Sequence, residues 1–263
     1  MDAPYGFKVD GLDLDLFALD RLDSLYQRAP AGSAIAFRGD PGRERPPGGP
    51  IRTQLTRPSI LEDLAEHELH LRISNLLDWA PEYREARDQV LESAGVDLSV
   101  PRYVEADVIR IFSPDVPISL NGDGETQFNA GVGGRNIWHF YPPESLTEAD
   151  NDALHRDGRF MTWREMTLYK TFDLALGDGF GAPPRWPHWI EHPGPEPAVS
   201  FEIGYWTLDD IRAKKVRDVN SVLRKAKLSP RPPGQNETID RTKRKLFDAV
   251  SLVTRRGGTY RGI

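Results

Sequence analysis

Cysteine is absent from this sequence, methionine occurs only three times, and no apolar run approaches the ~18 residues that a membrane-spanning helix needs. Without cysteine there are no disulfides and no thiolate metal sites, so His, Asp, Glu and Asn are the only metal ligands on offer. Hydrophobic residues are sparse as well, at 38%, against 28% charged residues and 22 prolines. Over 263 residues that balance implies one large domain, or a domain with an appendage, with long solvated connections around a real core. The segment MDAPYGFKVDGLDLDLF is acidic and lacks the basic-then-apolar pattern of a secretory signal, and a cytoplasmic protein is the default expectation.

Charge is distributed unevenly. From Leu208 onward 15 Lys and Arg face 6 Asp and Glu, a net of +9, whereas the preceding residues carry a net of −15. That asymmetry marks a change of character near residue 207. Three regions follow: 1–100, an extension of helices and strands packing on the core; 101–207, the core itself; and 208–263, a basic helical segment.

In the first region, GLDLDLFALDRLDSLYQR (11–28) has helical spacing of Leu and Phe, and Gly39–Pro50 reads as an exposed loop. Ser59 with Glu62 forms a capping box, LHLRIS alternates as a half-buried strand, and Pro81 opens a helix that Gly95 closes. From about Arg102 the segments DVIRIF, RNIWHFY, YKTFDLAL and AVSFEIGYW alternate as strands, the last placing Val199, Phe201, Ile203 and Tyr205 on one face. Several short strands separated by Gly/Pro turns predict a barrel or sandwich, interrupted by a helical insertion at roughly Thr147–Met166. Thr207 caps a helix, and another runs near Ile239–Val253, with Leu223, Leu228, Leu246 and Val250 as apolar anchors.

The chemistry concentrates in two segments. SLNGDGETQFN contains Asn121 and Asp123, whose i, i+2 spacing on a strand places both on one face. GDGFGAPPRWPHWIEH carries His188 five residues after Pro183, in a turn that would aim an imidazole into a barrel mouth. Asn121, Asp123 and His188 have the order and spacing of a two-His-one-carboxylate facial triad in which the first His is replaced by Asn.

On these motifs, the segment from Val104 to Trp206 resembles the JmjC/cupin-like family of non-haem iron oxygenase folds, most closely its bacterial cupin-like members. GVGGRNIWHFYPP is similar to the family's strand that ends in Pro-Pro, and PAVSFEIGYWT to its final core strand. The resemblance implies a mainly β, double-stranded β-helix (jelly roll) fold with flanking N- and C-terminal helices, and Fe(II) and 2-oxoglutarate as cofactors. It assigns metal-ligand positions to Asp123 and His188 and puts Asn121 where the first His ligand stands. Asn136 takes the place of the Lys that pairs with 2-oxoglutarate, and Ile118 a place that often supplies a hydroxyl. Arg135 offers a cation next door, but strand geometry points it to the opposite face. Neutral Asn is a weaker iron ligand than imidazole, and loss of the Lys removes a charge-assisted hydrogen bond to a dianion.

Blander readings stand beside these. His188 also suits a buried, hydrogen-bonded His beside Trp186 and Trp189; Asp123 and Asn121 also suit turn formers in NGDG. His139 reads as a satisfied core His, His192 as exposed, and His67 and His70 as remote from the motifs. Trp138, Trp186, Trp189 and Trp206 suit either core packing or an aromatic-lined pocket. The glycines of GVGG permit a bulge or a close backbone approach. Two functional readings follow: a divergent iron oxygenase, of 2-oxoglutarate type, acting on a small molecule or peptide, and a non-catalytic binding or regulatory protein that keeps the barrel without the metal and 2-oxoglutarate sites. A nucleic-acid regulator is a third and lesser one, because the basic tail shows neither helix-turn-helix spacing nor aromatic interleaving. No membrane partner is expected, and the helical ends are where a homodimer would form.

Overall fold

A computed structural model describes residues 1–38, 51–53, 59–66, 69–99, 103–114, 118–148, 150 and 166–254. The Gly39–Pro50 loop, His67 and most of the expected Thr147–Met166 insertion lie outside them. The described strands are β1 (Tyr5–Lys8), β2 (Ala34–Arg38), β3 (Ile51–Thr53), β4 (Leu69–Ser74), β5 (Tyr103–Phe112), β6 (Ile118–Asn121), β7 (Thr126–Gly133), β8 (Asn136–Phe140), β9 (Lys170–Leu174), β10 (Asp178–Ala182), β11 (His188–Glu191) and β12 (Ala198–Trp206). The α-helices are α1 (Leu19–Arg28), α2 (Ile60–Glu66), α3 (Leu76–Trp79), α4 (Arg84–Ser93), α5 (Leu208–Lys225) and α6 (Glu237–Thr254).

Strands β5 to β12 form the jelly roll. Four of them, in the order β10-β7-β12-β5, belong to an eight-stranded sheet that β1 extends on one side and β4, β2 and β3 on the other; β6, β11, β8 and β9 form the second sheet. Every pairing is antiparallel. The period-2 pattern of β12 works as the sequence implies: Val199, Phe201 and Ile203 join Ile109, Ile111 and Phe128 in a core shared with Phe17, Leu22, Tyr83 and Val90 of the N-terminal helical layer. Burying each such large apolar side chain contributes roughly 1.5–3 kcal/mol. The opposite face of β12 looks between the sheets, where Trp138, Phe140, Phe172 and Phe180 make a second core.

The GVGG stretch shows both glycine roles. The β7–β12 register shifts between Val199 and Ser200, and a Cβ on Gly131 would lie 2.6 Å from the Ala175 carbonyl oxygen.

Four expectations need correction. The opening helix is split into a 3-10 turn, Leu14–Phe17, and α1, with Ala18 extended between them (ψ 138°). β4 is buried on both faces, because it extends the large sheet and turns His70 toward the barrel side, against Phe112. His192 is 2% exposed, its ring stacked on Phe112 at 3.7 Å. Finally, Leu228, Leu246 and Val250 do not anchor the C-terminal helices, being more than half exposed; α5 instead buries Val216, Val219 and Asn220 behind a Thr207–Asp210 capping box.

His70 and His192 flank Phe112, and none of their four ring nitrogens has a hydrogen-bond partner among the described residues. Burial holds His192 neutral, with a pKa of about 3, and burial, then Arg110, His192 and Arg72, pushes His70 well down. The unfolded chain takes up these protons near pH 6.5, so the stability they contribute is complete above that pH and is lost as pH falls toward 3. From His192 alone, denaturant melts at pH 8 and pH 5 should differ by about 2 kcal/mol. His192→Leu should flatten that dependence; an unchanged pH profile in the variant would show that His192 is not its source.

Candidate metal centre and barrel interior

The turn Pro183-Pro184-Arg185-Trp186-Pro187 delivers His188 to the start of β11, where it pairs with Asn121 at the end of β6 and Phe140 at the end of β8. The turn is pinned to the opposing loop by the Arg185 N–H, which donates to the Asp123 carbonyl at 2.7 Å. Asp123 lies past the end of β6, in the turn before β7, so strand alternation does not set its direction as the i, i+2 spacing implied. Its carboxylate nonetheless reaches the ring: Asp123 Oδ2 and His188 Nε2 are 3.4 Å apart.

His188 is buried, with Trp138 and Phe140 each 5.2 Å away ring to ring. Its Nδ1 lies 3.0 Å from the Trp186 carbonyl, which can only accept, so Nδ1 carries a proton and, in the neutral ring, Nε2 presents its lone pair to Asp123. Asp123 Oδ2 is itself buried with no hydrogen-bond partner among the described residues. Two acceptors facing each other at this range need a cation or a shared proton between them. The separation is short enough for both to reach one ion through bonds of ~2.1 Å. Asn121 is less available, since its Oδ1 accepts from the Gly122 N–H at 2.7 Å. Among the described residues no group of three or more His, Asp or Glu side chains converges as a metal site. One carboxylate and one imidazole are thus the only candidate metal ligands that the described residues bring together at this mouth.

The residues at the position where the family anchors 2-oxoglutarate do not fit that dianion. Asn136 is fully buried, with Nδ2 donating to the Val199 carbonyl at 3.4 Å and Oδ1 unpartnered. Arg135 points outward and pairs with Asp173 at 2.8 Å, so it brings no charge to the interior. Asn129, Ser200 and the indole N–H of Trp138 are also buried without partners, and together they offer only neutral donors and acceptors.

Charge does enter the barrel, at positions that sequence reasoning missed. Arg110 on β5 grips Glu202 on β12 through two hydrogen bonds of 2.6 and 3.1 Å. Burial, then the nearby Asp123 and Glu202, pushes the Glu125 carboxyl up to about 8. Arg72 on β4 is half-buried in the same field, close enough to Asp123, Glu125 and Glu202 to feel all three. The available signal was an Arg in DVIRIF and a Glu in SFEIGYW, each on the face opposite the apolar one. His139, by contrast, lies on the outer face of the small sheet, stacked on Trp189 at 4.2 Å and hydrogen-bonded to Glu191 at 2.8 Å.

No helix among the described residues is long and apolar enough to cross a membrane. No model of a known protein family matches the sequence, and no curated protein matches it. Solved structures do. YcfD of Escherichia coli aligns over 97% of this chain and 65% of its own, with a TM-score of 0.55 at 14% identity. YcfD described as a ribosomal oxygenase in complex with cobalt and succinic acid aligns over 96% and 64%, at TM-score 0.52 and 13% identity. The same protein with cobalt and 2-oxoglutarate gives 96%, 64%, 0.52 and 14%. The chain thus spans just under two thirds of the length of these neighbours, and identity at this level speaks for the fold alone. Two apposed antiparallel sheets with flanking helices, superposable on YcfD, make a JmjC/cupin-like double-stranded β-helix, and that is the fold this chain adopts.

Proposed function

We propose that this protein is a divergent form of the non-haem iron oxygenase fold, one that holds a divalent metal weakly through Asp123 and His188 and receives a small molecule or peptide at the barrel mouth. The observation that carries this reading is the unpartnered Asp123 Oδ2 facing His188 Nε2 at 3.4 Å, with the imidazole tautomer set by the Trp186 carbonyl. A divalent ion bound there would supply a Lewis-acidic centre with open coordination positions. The chain's own part is to orient: Trp186 fixes the ring, Arg185 fixes the Asp123 loop, and Trp138 and Phe140 keep water from the inner side of His188. Ordinary 2-oxoglutarate turnover is not part of the proposal, because neutral Asn136 stands where the co-substrate needs a cation.

The same buried Asn136 favours a second reading, a non-catalytic binding protein that keeps the barrel. Anaerobic titration with Fe(II) or Co(II), followed spectroscopically, separates the two. The first reading expects a single weak site that Asp123→Ala or His188→Ala abolishes. Failure of the unmodified protein to take up metal at any attainable concentration would leave the second reading in its place.

A further inference from the structure

A cavity of about 750 Å³ lies on the helical side of the eight-stranded sheet, so that the sheet itself stands between it and the barrel interior. Its wall is aromatic. Tyr5 of β1, Phe128 of β7, and Tyr205 and Trp206 at the end of β12 line it, with the Tyr205 ring stacked on Phe128 at 5.8 Å. Tyr5 is fixed by its hydroxyl, which donates to the Ala94 carbonyl at 2.6 Å. The β12–β5 register shifts between Tyr205 and Trp206, and these adjacent residues both line the cavity, where regular alternation would part them. No Lys, Arg or His side chain lines it among the described residues, whereas Asp2 and Asp97 stand exposed at its rim. The helix α4 ends there too, at Ala94 and Gly95, and its last carbonyls bring a partial negative charge. On the other side α5 begins, but its positive end is already met by Asp210, which closes the Thr207 capping box. The amino group of Met1, another lining residue, is a single positive charge against two carboxylates and a helix C-terminus.

We propose that this cavity binds an organic cation, a primary or quaternary ammonium group carried on a small apolar body. Ring faces attract such a group through their negative π-surfaces, and four rings here border one space. The two carboxylates and the carbonyl end of α4 set the sign of the charge, and an anion is opposed by every described side-chain charge on the lining. The wider charge pattern agrees, since the residues before Leu208 carry a net of −15. A volume of about 750 Å³ also falls among those of small-molecule sites, which run ~300–1,000 Å³. The proposal is independent of Asp123 and His188 and holds with or without metal at the barrel mouth.

The probes are choline and its uncharged carbon analogue, in which a tert-butyl group replaces the trimethylammonium, titrated by calorimetry and tryptophan fluorescence. Choline should bind saturably and about fivefold more tightly than the analogue, the order expected of a partly desolvated cation–π site. Trp206→Leu should weaken choline about tenfold and leave any Co(II) affinity unchanged, whereas Trp206→Phe, which keeps a ring, should retain most of the binding. Asp97→Asn should weaken choline about two- to threefold and leave the analogue unchanged, because only the cation feels the lost charge. Should Trp206→Leu prove too unstable to titrate, Asp97→Asn, at an exposed position, decides through the choline-to-analogue ratio. Equal affinity for the two probes would mark an ordinary apolar cavity and overturn the proposal. Absence of saturable choline binding, or binding that Trp206→Leu leaves intact, would overturn it as well.

Discussion

Replacing Arg110 with methionine should destabilise the protein by about 3–5 kcal/mol, the cost of leaving one partner of a buried ion pair uncompensated. The two side chains are only 10% and 5% exposed, so solvent screens little of that cost. Burial on its own raises the Glu202 carboxyl, and Arg110, by charge and hydrogen bond, more than reverses this, holding it below its ordinary value. Without Arg110 the carboxyl must take up a proton, or water must enter the barrel beside His188. Glu202→Leu should be costly for the mirror-image reason, since it strands a guanidinium that already shares its surroundings with Arg72. The double variant Arg110→Met/Glu202→Leu should regain most of the loss, because two apolar side chains of similar volume satisfy a core about as well as a buried pair does. Denaturant melts of the four proteins form the cycle. Single variants that each cost less than about 1 kcal/mol would mean that the pair is solvated and the interior wetter than the structure shows.

That internal pair also explains why the barrel was easier to read from the sequence than its contents. Val199, Phe201 and Ile203 alternate because one face of β12 packs on a helical layer, and that face carries the fold signal. The other face holds Ser200 and Glu202, which a strand pattern cannot distinguish from solvent-facing residues. Polar residues on a jelly-roll strand read as outside; here they lie between two sheets, and Glu202 is satisfied by Arg110 and Gln127 from neighbouring strands distant in sequence. His192 failed for the same reason: it follows β11 in a Pro/Gly-rich stretch, and only the tertiary stack on Phe112 buries it. β1 was missed because YGFK is four residues long with a central Gly, and its partner, β10, lies more than 170 positions away.

The candidate site was legible to the extent that its chemistry is local. The Pro-rich turn before His188 fixes both the approach of the ring and, through the Trp186 carbonyl, its tautomer. Asp123 reaches the same place from a turn, not from a strand, so the residue pair was right for a reason that strand periodicity did not supply. Arg185 carried no sequence signal: its left-handed backbone sits in the Pro-rich turn and its N–H meets the Asp123 carbonyl, a contact between segments distant in sequence.

Asn121→His should raise Fe(II) affinity about 10- to 100-fold, the range typical when a metal site gains or loses a supporting group. Asn121 is the cross-strand partner of His188, so an imidazole there starts from the strand next to the existing ligand. The substitution also releases the Gly122 N–H that Asn121 Oδ1 now accepts from, a modest cost at a partly exposed turn. Affinity alone should not produce 2-oxoglutarate decarboxylation, because Asn136 still presents no charge to the co-substrate. Asn136→Lys addresses that second fault, and the structure adds a condition. Position 136 is fully buried with no carboxylate partner among the described residues, so a lysine there should lower the melting temperature on its own. A bound dianion would compensate the new charge. 2-Oxoglutarate should therefore raise the melting temperature of proteins that carry Asn136→Lys and leave that of the Asn136 proteins unchanged. Turnover is expected only in the double variant, so the cycle should show large coupling in activity and little in metal affinity, since the two residues serve different ligands. Robust 2-oxoglutarate turnover by the unmodified protein would refute this account and show that a cation other than Lys, with Arg72 one candidate, has taken over the role. If the double variant binds no iron, the barrel has been remodelled beyond its ligands, and the binding-protein reading is the one to keep.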